Sequence, residues 1–294
     1  MSSSTTSESL SDLLPEATLR AQINSANRIV VKIGSSSLTE EDFSVASDKI
    51  DRIVDAVVKR METTDVIIVS SGTVAAGMRP LDLNQRPLGL ADKQATASVG
   101  QIHLANEWSR SFARHGRTVG QVLLTASDAG QRDRTRNAKR TIDKLLHWGV
   151  VPIVNENDTV STYEIQFGDN DTLSAIVAAL IGADLLILLS DIDGLFSDDP
   201  RTNPQAQFID EVDSLDEHFL KMGKESTGSK VGTGGMATKL SAAKIATSAG
   251  ADMVIANGRD PHVLHKIVEG EDYGTLFAAK PKEEFYLLDY IKNM

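Results

Sequence analysis

DLLILLS, residues Asp184 to Ser190, sets an unbroken apolar run between polar ends. A half-buried strand would alternate apolar and polar residues, and a buried helix would be longer. The run therefore reads as a strand covered on both faces, the pattern of a parallel sheet flanked by helices. Working outward, RIVVKI (Arg28–Ile33), DVIIVS (Asp65–Ser70), VVPIVN (Val150–Asn155) and DMVIA (Asp252–Ala256) read the same way, with one more strand at Thr118–Leu124. Helical stretches separate them. In Lys49–Met61 the residues Ile50, Ile53, Val54, Val57, Val58 and Met61 share one face. Ala91–His115, Asn137–His147, Thr172–Ile181 and Met236–Ala249 are the others.

Strand and helix in alternation, with short connections, predict an α/β fold with right-handed crossovers and a mostly parallel central sheet. No proline- or serine-rich linker interrupts residues 28 to 280, so a single domain is expected over 28–294. Residues 1–27 form an N-terminal extension. It opens with MSSSTTSES and is expected to be partly disordered, with a short helix from about Leu10 to Asn27.

The chain has 294 residues, no cysteine and a formal net charge of −11. Lack of cysteine excludes disulfide staples, thiol nucleophiles and cysteine zinc sites. The acidic balance argues against nucleic acid or an anionic membrane as partner. No apolar run approaches the roughly 18 residues of a membrane span. No export signal is read at the N-terminus, so a cytoplasmic location is expected.

Ligands of such a sheet bind beyond the carboxyl ends of its strands, and the unusual residues fall there. VVKIGSSSL (Val30–Leu38) buries Lys32 in an apolar strand and follows it with Gly34 and three serines. A buried ammonium calls for a counter-charge, which an anionic ligand supplies; a lysine whose head reaches solvent is the plainer reading. Gly34 to Ser37 could donate hydrogen bonds to phosphate, although this is not the P-loop pattern. VSSGTVAAGM (Val69–Met78) turns from a strand into a helix through Ser70, Ser71 and Gly72, which suits an anion at the helix start or an ordinary serine cap. VNENDTV and FGDNDTLSA cluster Asn155, Glu156, Asn157, Asp158, Asp169, Asn170 and Asp171 at a strand exit and a helix start. That set suits an ammonium group or the organisation of lysines; turn and capping chemistry is the alternative. LLSDIDGLFSDDPR puts Ser190 and Asp191 at a strand end, for a nucleotide, a metal or a plain Asp-Gly turn. GSKVGTGGMATKLSAA places Gly232, Gly234 and Gly235 before a helix that carries Lys239 near its start. Helix amides and a lysine make a phosphate clamp, unless the loop is merely a surface loop. The basic run Arg132–Lys144 reads as a solvated face or subunit contact. The histidines have no metal-ligand spacing.

Taken in order, VVKIGSSSL, SSGTVAAG, VNENDTV, GDNDTLSA, LLSDIDGLFSDDPRTNPQA and GTGGMATK resemble the amino acid kinase family, from about Arg28 to Ala279. The NEND…GDND pair and GQVLLTASD are similar to the members that phosphorylate glutamate. The resemblance implies a three-layer αβα sandwich of carbamate-kinase type. It implies an amino-acid-binding N-terminal half, about 28–180, and a nucleotide-binding C-terminal half, about 181–280. ATP and Mg²⁺ are implied, the metal held mainly through the ATP phosphates. Lys32 and Lys239 would contact the transferring phosphoryl group, with Asp171 orienting them. Ser71, Gly72, Asn155, Asp158, Asp169 and Asn170 would hold glutamate. Lys32, Gly34, Ser190, Asp191, Thr233, Gly234, Gly235, Met236, Ala237, Thr238 and Lys239 would line the nucleotide site. Feedback inhibition by proline, a homo-oligomer (dimer or tetramer) and a γ-glutamyl phosphate reductase as partner are also implied.

Three departures stand out. A C-terminal PUA domain, which many members carry, is not expected here. Gln166 replaces a lysine common before the GDND glycine, and Ser70-Ser71-Gly72-Thr73 replaces threonine-serine-glycine-alanine. The competing readings are another acyl-phosphate kinase of this fold, for acetylglutamate or aspartate, and a non-catalytic sensor of ATP or an amino acid.

Overall fold

The computed structural model describes residues 20, 23–161, 170–215, 235–260, 262–282 and 285–292. Chain order begins β1 (Arg28–Ile33), α1 (Ser47–Val58), β2 (Asp65–Val69), α2 (Thr73–Met78) and α3 (Leu90–Ala113). It continues through β3 (Val119–Leu124), α4 (Ala126–Ala129), α5 (Arg132–His147), β4 (Val151–Glu156), α6 (Asn170–Ile181) and β5 (Leu185–Ser190). After a small ribbon of β6 (Leu195–Phe196) and β7 (Phe208–Ile209) come β8 (Glu211–Val212), α7 (Met236–Ser248), β9 (Asp252–Asn257), α8 (His262–Val268), β10 (Thr275–Phe277) and α9 (Leu287–Lys292).

The main sheet runs β3-β4-β2-β1-β5-β9-β10-β8, eight strands among the described residues. It is parallel from β3 through β9; β10 turns antiparallel to β9, and β8 follows β10 in parallel. The apolar runs behave as their composition demands: every residue of β4 and β5 is buried. β1 lies in the middle, between β2 and β5. The chain leaves β1 towards β2 and leaves β5 towards β9, so connections diverge between β1 and β5 and open a crevice at their carboxyl ends.

Strand geometry sends alternate side chains to opposite faces. Ile29, Val31 and Ile33 of β1 pack with Ile50, Ile53 and Val54 of α1, Trp108 and Phe112 of α3, and Leu264 of α8. Val30 faces the other way, onto Leu173 and Ile176 of α6 and Leu240 and Ile245 of α7. Lys32 shares Val30's face, so it rises at the end of the strand towards the starts of α6 and α7. The position that looked costly in the sequence is thereby aimed at a defined place.

Helix α2 lies against α3 with almost no clearance. A Cβ at Gly77 would sit 1.9 Å from the Thr96 carbonyl oxygen, and one at Gly100 would sit 1.8 Å from that of Thr73. Only glycine permits this approach.

Some elements differ from expectation. Helix α5 begins at Arg132, not Asn137, because its first turn, RDRTR, carries charge and no apolar period to read. Its basic residues are mostly exposed and paired locally, as in Arg134–Asp128 and Arg136–Asp133. Strands β8 and β10 and helix α8 were not read from the sequence; each strand is too short to show a pattern. The expected helix of residues 10–27 falls largely outside the described residues, but Arg20 and Ile23 are helical. The packed body also starts before Arg28. Ile23 is 2% exposed, and the Arg20 guanidinium donates to the carbonyls of Asp210, Tyr273 and Gly274 and pairs with Asp272.

Candidate active site

Asp171 is the centre of the site. It stands in the first turn of α6 and is 1% exposed. Lys32 Nζ, from the end of β1, lies 2.5 Å from its Oδ1, and Lys239 Nζ, from the start of α7, lies 2.9 Å from its Oδ2. Burial alone would push the Asp171 carboxyl up; the two ammonium groups outweigh that and hold it below the ordinary carboxylate value. Both lysines are nearly buried, at 7% and 4% exposure. Buried ammonium groups converging from two elements on one carboxylate suit an incoming anion.

The backbone around the triad keeps space for one. A Cβ on Gly34 would lie 3.3 Å from the Leu189 carbonyl, a tight approach, and 4.0 Å from Lys32 Nζ, ordinary contact. Gly34 N–H donates to Leu189 O, and Ser37 turns its hydroxyl to Gly258 O, so these two close the loop on the sheet and do not reach outward. Gly235 precedes α7 in an extended conformation, and a Cβ there would meet nothing within 4 Å. The start of α7, where backbone amides and the helix dipole favour an anion, is the end that carries Lys239.

Beside the triad lies an amide pocket. Asn170 Nδ2 donates to Ser70 O at 2.6 Å, to Asn155 Oδ1 at 2.8 Å and to Ser71 Oγ at 3.0 Å. Asn155 is 2% exposed, and its own Nδ2 donates to Gln101 Oε1 at 2.8 Å. Asn155 therefore braces Asn170 and stands behind it. Gly72, at φ +88°, bends the chain so that α2 can start directly behind Ser71. Asp158 accepts a hydrogen bond from Thr73 at 2.7 Å. Burial raises the Asp158 carboxyl above its ordinary value, and the Thr73 hydroxyl works against that rise. The Trp108 indole N–H caps Ser70 Oγ at 3.1 Å, tying the pocket floor to α3.

On the other side of the triad, Ser190 ends β5 with its hydroxyl on Asp191 Oδ1 at 3.1 Å, and Asp191 is exposed. Met236, Ala237 and Thr238 form the first turn of α7, with Thr238 Oγ1 bonded to Gly235 O. The fold thus brings Lys32, Gly34, Ser71, Gly72, Asn155, Asp158, Asn170, Asp171, Ser190, Asp191 and residues 235–239 to one sheet edge. Asp169, Thr233, Gly234 and Gln166 lie outside the described residues. Thr73, Gln94 and Gln101 complete the pocket without having been singled out in the sequence. Thr73 was visible only as a departure from the family pattern; the glutamines gave no signal.

Among the described residues, no group of three or more His, Cys, Asp or Glu side chains could hold a metal ion. No helix among the described residues is long and apolar enough to cross a membrane.

Known proteins resemble this chain over most of its length. Residues 27–257 match the model of the amino acid kinase family. The chain is 56% identical to a glutamate 5-kinase of Corynebacterium diphtheriae over 265 residues, which covers 90% of this chain and 69% of that protein. It is 57% identical to a glutamate 5-kinase of Corynebacterium jeikeium over 263 residues, or 89% of this chain and 68% of the relative. Among solved structures, UMP kinase from Ureaplasma parvum superimposes with a TM-score of 0.57 at 19% identity, over 86% of this chain and 98% of that one. That last likeness concerns the fold alone.

Proposed function

The chain belongs to the amino acid kinase family, and on that premise we propose that it transfers the γ-phosphoryl group of ATP to the side-chain carboxylate of L-glutamate, the first step of proline biosynthesis. The observation that carries this reading is Asp171 holding two lysines from opposite ends of the chain beside a pocket of amides that includes the Asp158 carboxylate. Relatives at 56% and 57% identity bear the name glutamate 5-kinase.

The chemistry asks little of acid–base catalysis. A glutamate side chain has a pKa of about 4.3, so the nucleophile is already ionised at neutral pH. An oxygen of that carboxylate bonds to the γ-phosphorus, and the bond from phosphorus to the β,γ-bridging oxygen breaks, releasing ADP with the electron pair. The obstacle is repulsion between two anions. Lys32 and Lys239 lower it by placing positive charge on the phosphoryl group, and Asp171 fixes where they stand. Mg²⁺ bound through the ATP phosphates adds positive charge there. Ser71, Asn170 and Asp158 hold the amino acid, with Gly72 permitting the turn and Asp169 assigned to the same set. Ser190, Asp191 and the segment from Thr233 to Lys239 receive the nucleotide, so the N-terminal half binds the amino acid and the C-terminal half the ATP. Transfer is direct and in line, without a phospho-enzyme.

Proline as feedback inhibitor, a homo-oligomer, a reductase that consumes the acyl phosphate and a cytoplasmic location complete the reading. The test is ADP release with glutamate, with and without proline, alongside hydroxamate trapping across glutamate, aspartate and acetylglutamate. Signal with aspartate and none with glutamate would reject the substrate.

A further inference from the structure

We propose that Gln101 is a positioning residue for the glutamate pocket: from α3 it holds the Asn155 carboxamide, whose polarity two backbone groups set, and through it steadies the Asn170 carboxamide that turns its oxygen to the amino acid. The inference rests on the glutamate reading for the identity of the ligand, but not for the network itself.

A carboxamide has nearly the same shape with its oxygen and nitrogen exchanged, so only its partners decide which way it points. Two backbone groups set the polarity here. Glu156 N–H donates to Asn155 Oδ1 at 2.9 Å, which demands an oxygen at that end. Ser70 O accepts from Asn170 at 2.6 Å, which demands a nitrogen. Asn155 Nδ2 is then left pointing at α3, buried, and Gln101 Oε1 meets it at 2.8 Å. Asn155 Oδ1, held in place, accepts from Asn170 Nδ2. The Asn170 nitrogen has two hydrogens and three acceptors within reach, so only its Oδ1 is left to face a ligand. An oxygen there, with the Asp158 carboxylate that Thr73 holds next to Gly72, gives the pocket acceptors for an ammonium group.

The supporting helix is well placed for the task. Gln94, two turns before Gln101 on the same face of α3, donates to Ser161 O at 2.9 Å. The two glutamines hold both ends of the segment from Asn155 to Ser161. The close Gly77–Gly100 contact keeps α3 from shifting against α2, which begins right behind Ser71.

The experiment compares Gln101→Met, which keeps length but loses the acceptor, with Gln101→Glu, which keeps an oxygen acceptor. Gln101→Met leaves the buried Asn155 donor unpaired, so it is expected to raise KM for glutamate about ten-fold while KM for ATP stays near wild type and Tm falls by no more than a few degrees. Gln101→Glu is expected to restore KM. In wild type, the side-chain amide NMR signals of Asn155 and Asn170 should exchange slowly with solvent; in Gln101→Met they should exchange fast. The proposal is overturned if Gln101→Met keeps the wild-type KM and amide exchange, if Gln101→Glu is as impaired as Gln101→Met, or if both KM values and Tm move together. Wild-type protein with no glutamate turnover but the expected amide exchange would reject the substrate and keep the network.

Discussion

The two halves of the site solve opposite problems. At the phosphoryl end, Lys32, Asp171 and Lys239 are full charges packed within hydrogen-bond distance and almost wholly buried. At the amino-acid end, Asn155, Asn170, Gln101 and Ser71 are neutral dipoles, and Asp158 is the carboxylate among them. Charge gives the first end strength, since it must stabilise an anion that moves. Dipoles give the second end direction, since it must tell donor from acceptor on a small ligand. Damage to the first should therefore appear in kcat and stability, and damage to the second in KM for glutamate.

The strongest way to break this contrast is to remove a lysine. Lys239→Ala or Lys32→Ala should lower kcat by about 10²-fold or more, with a much smaller effect on KM for glutamate, in steady-state assays. Near-normal kcat would refute the charge role. Next comes Asp171→Asn, which leaves two buried ammonium groups without their carboxylate. It should destabilise the fold by about 3–5 kcal/mol in denaturant titration. A change near zero would mean that the lysines find other partners.

Acidification separates the halves by sign. Asp171 is held below the ordinary carboxylate value, so its stabilising contribution is complete above about 3.9 and is lost only as pH falls through its lower folded value. Asp158 is raised, because burial disfavours its charge. Its ionisation therefore costs stability as pH rises from the ordinary value through the raised one, and acid relieves that cost while removing the negative charge. KM for glutamate should climb on acidification while Tm and KM for ATP still hold. Parallel loss of all three would erase the distinction. The smallest effect is expected from Thr73→Ala, which removes the hydroxyl that keeps Asp158 down. The acid limb of KM for glutamate should move to higher pH, with less than about a ten-fold change near neutrality, as for one lost hydrogen bond. Thr73→Ser should leave it in place.

Legibility followed the range of the forces involved. DLLILLS and DVIIVS were readable because burial on both faces removes alternation from the sequence itself. Helix α5's first turn was not, since its charged residues carry no period. Strand β10 was missed because Thr275–Phe277 is stabilised by its pairing with β9 and β8, not by a pattern of its own. The site divides likewise. Lys32 announced itself as a charge in an apolar strand; Gln101 looked like any polar residue on a half-exposed helix.

Sequence alone determined where the long buried strands and most of the helices form, and which strand ends carry lysines, amides and carboxylates, because burial and backbone preference act on neighbouring residues. Only the tertiary structure decided that Lys32 and Lys239 share one carboxylate, that Arg20 clamps the segment around Gly274, and which way Asn155 and Asn170 turn. Those outcomes depend on ion pairs and hydrogen bonds a few ångströms long between residues far apart in the chain, and such contacts exist only after the sheet has set the distances.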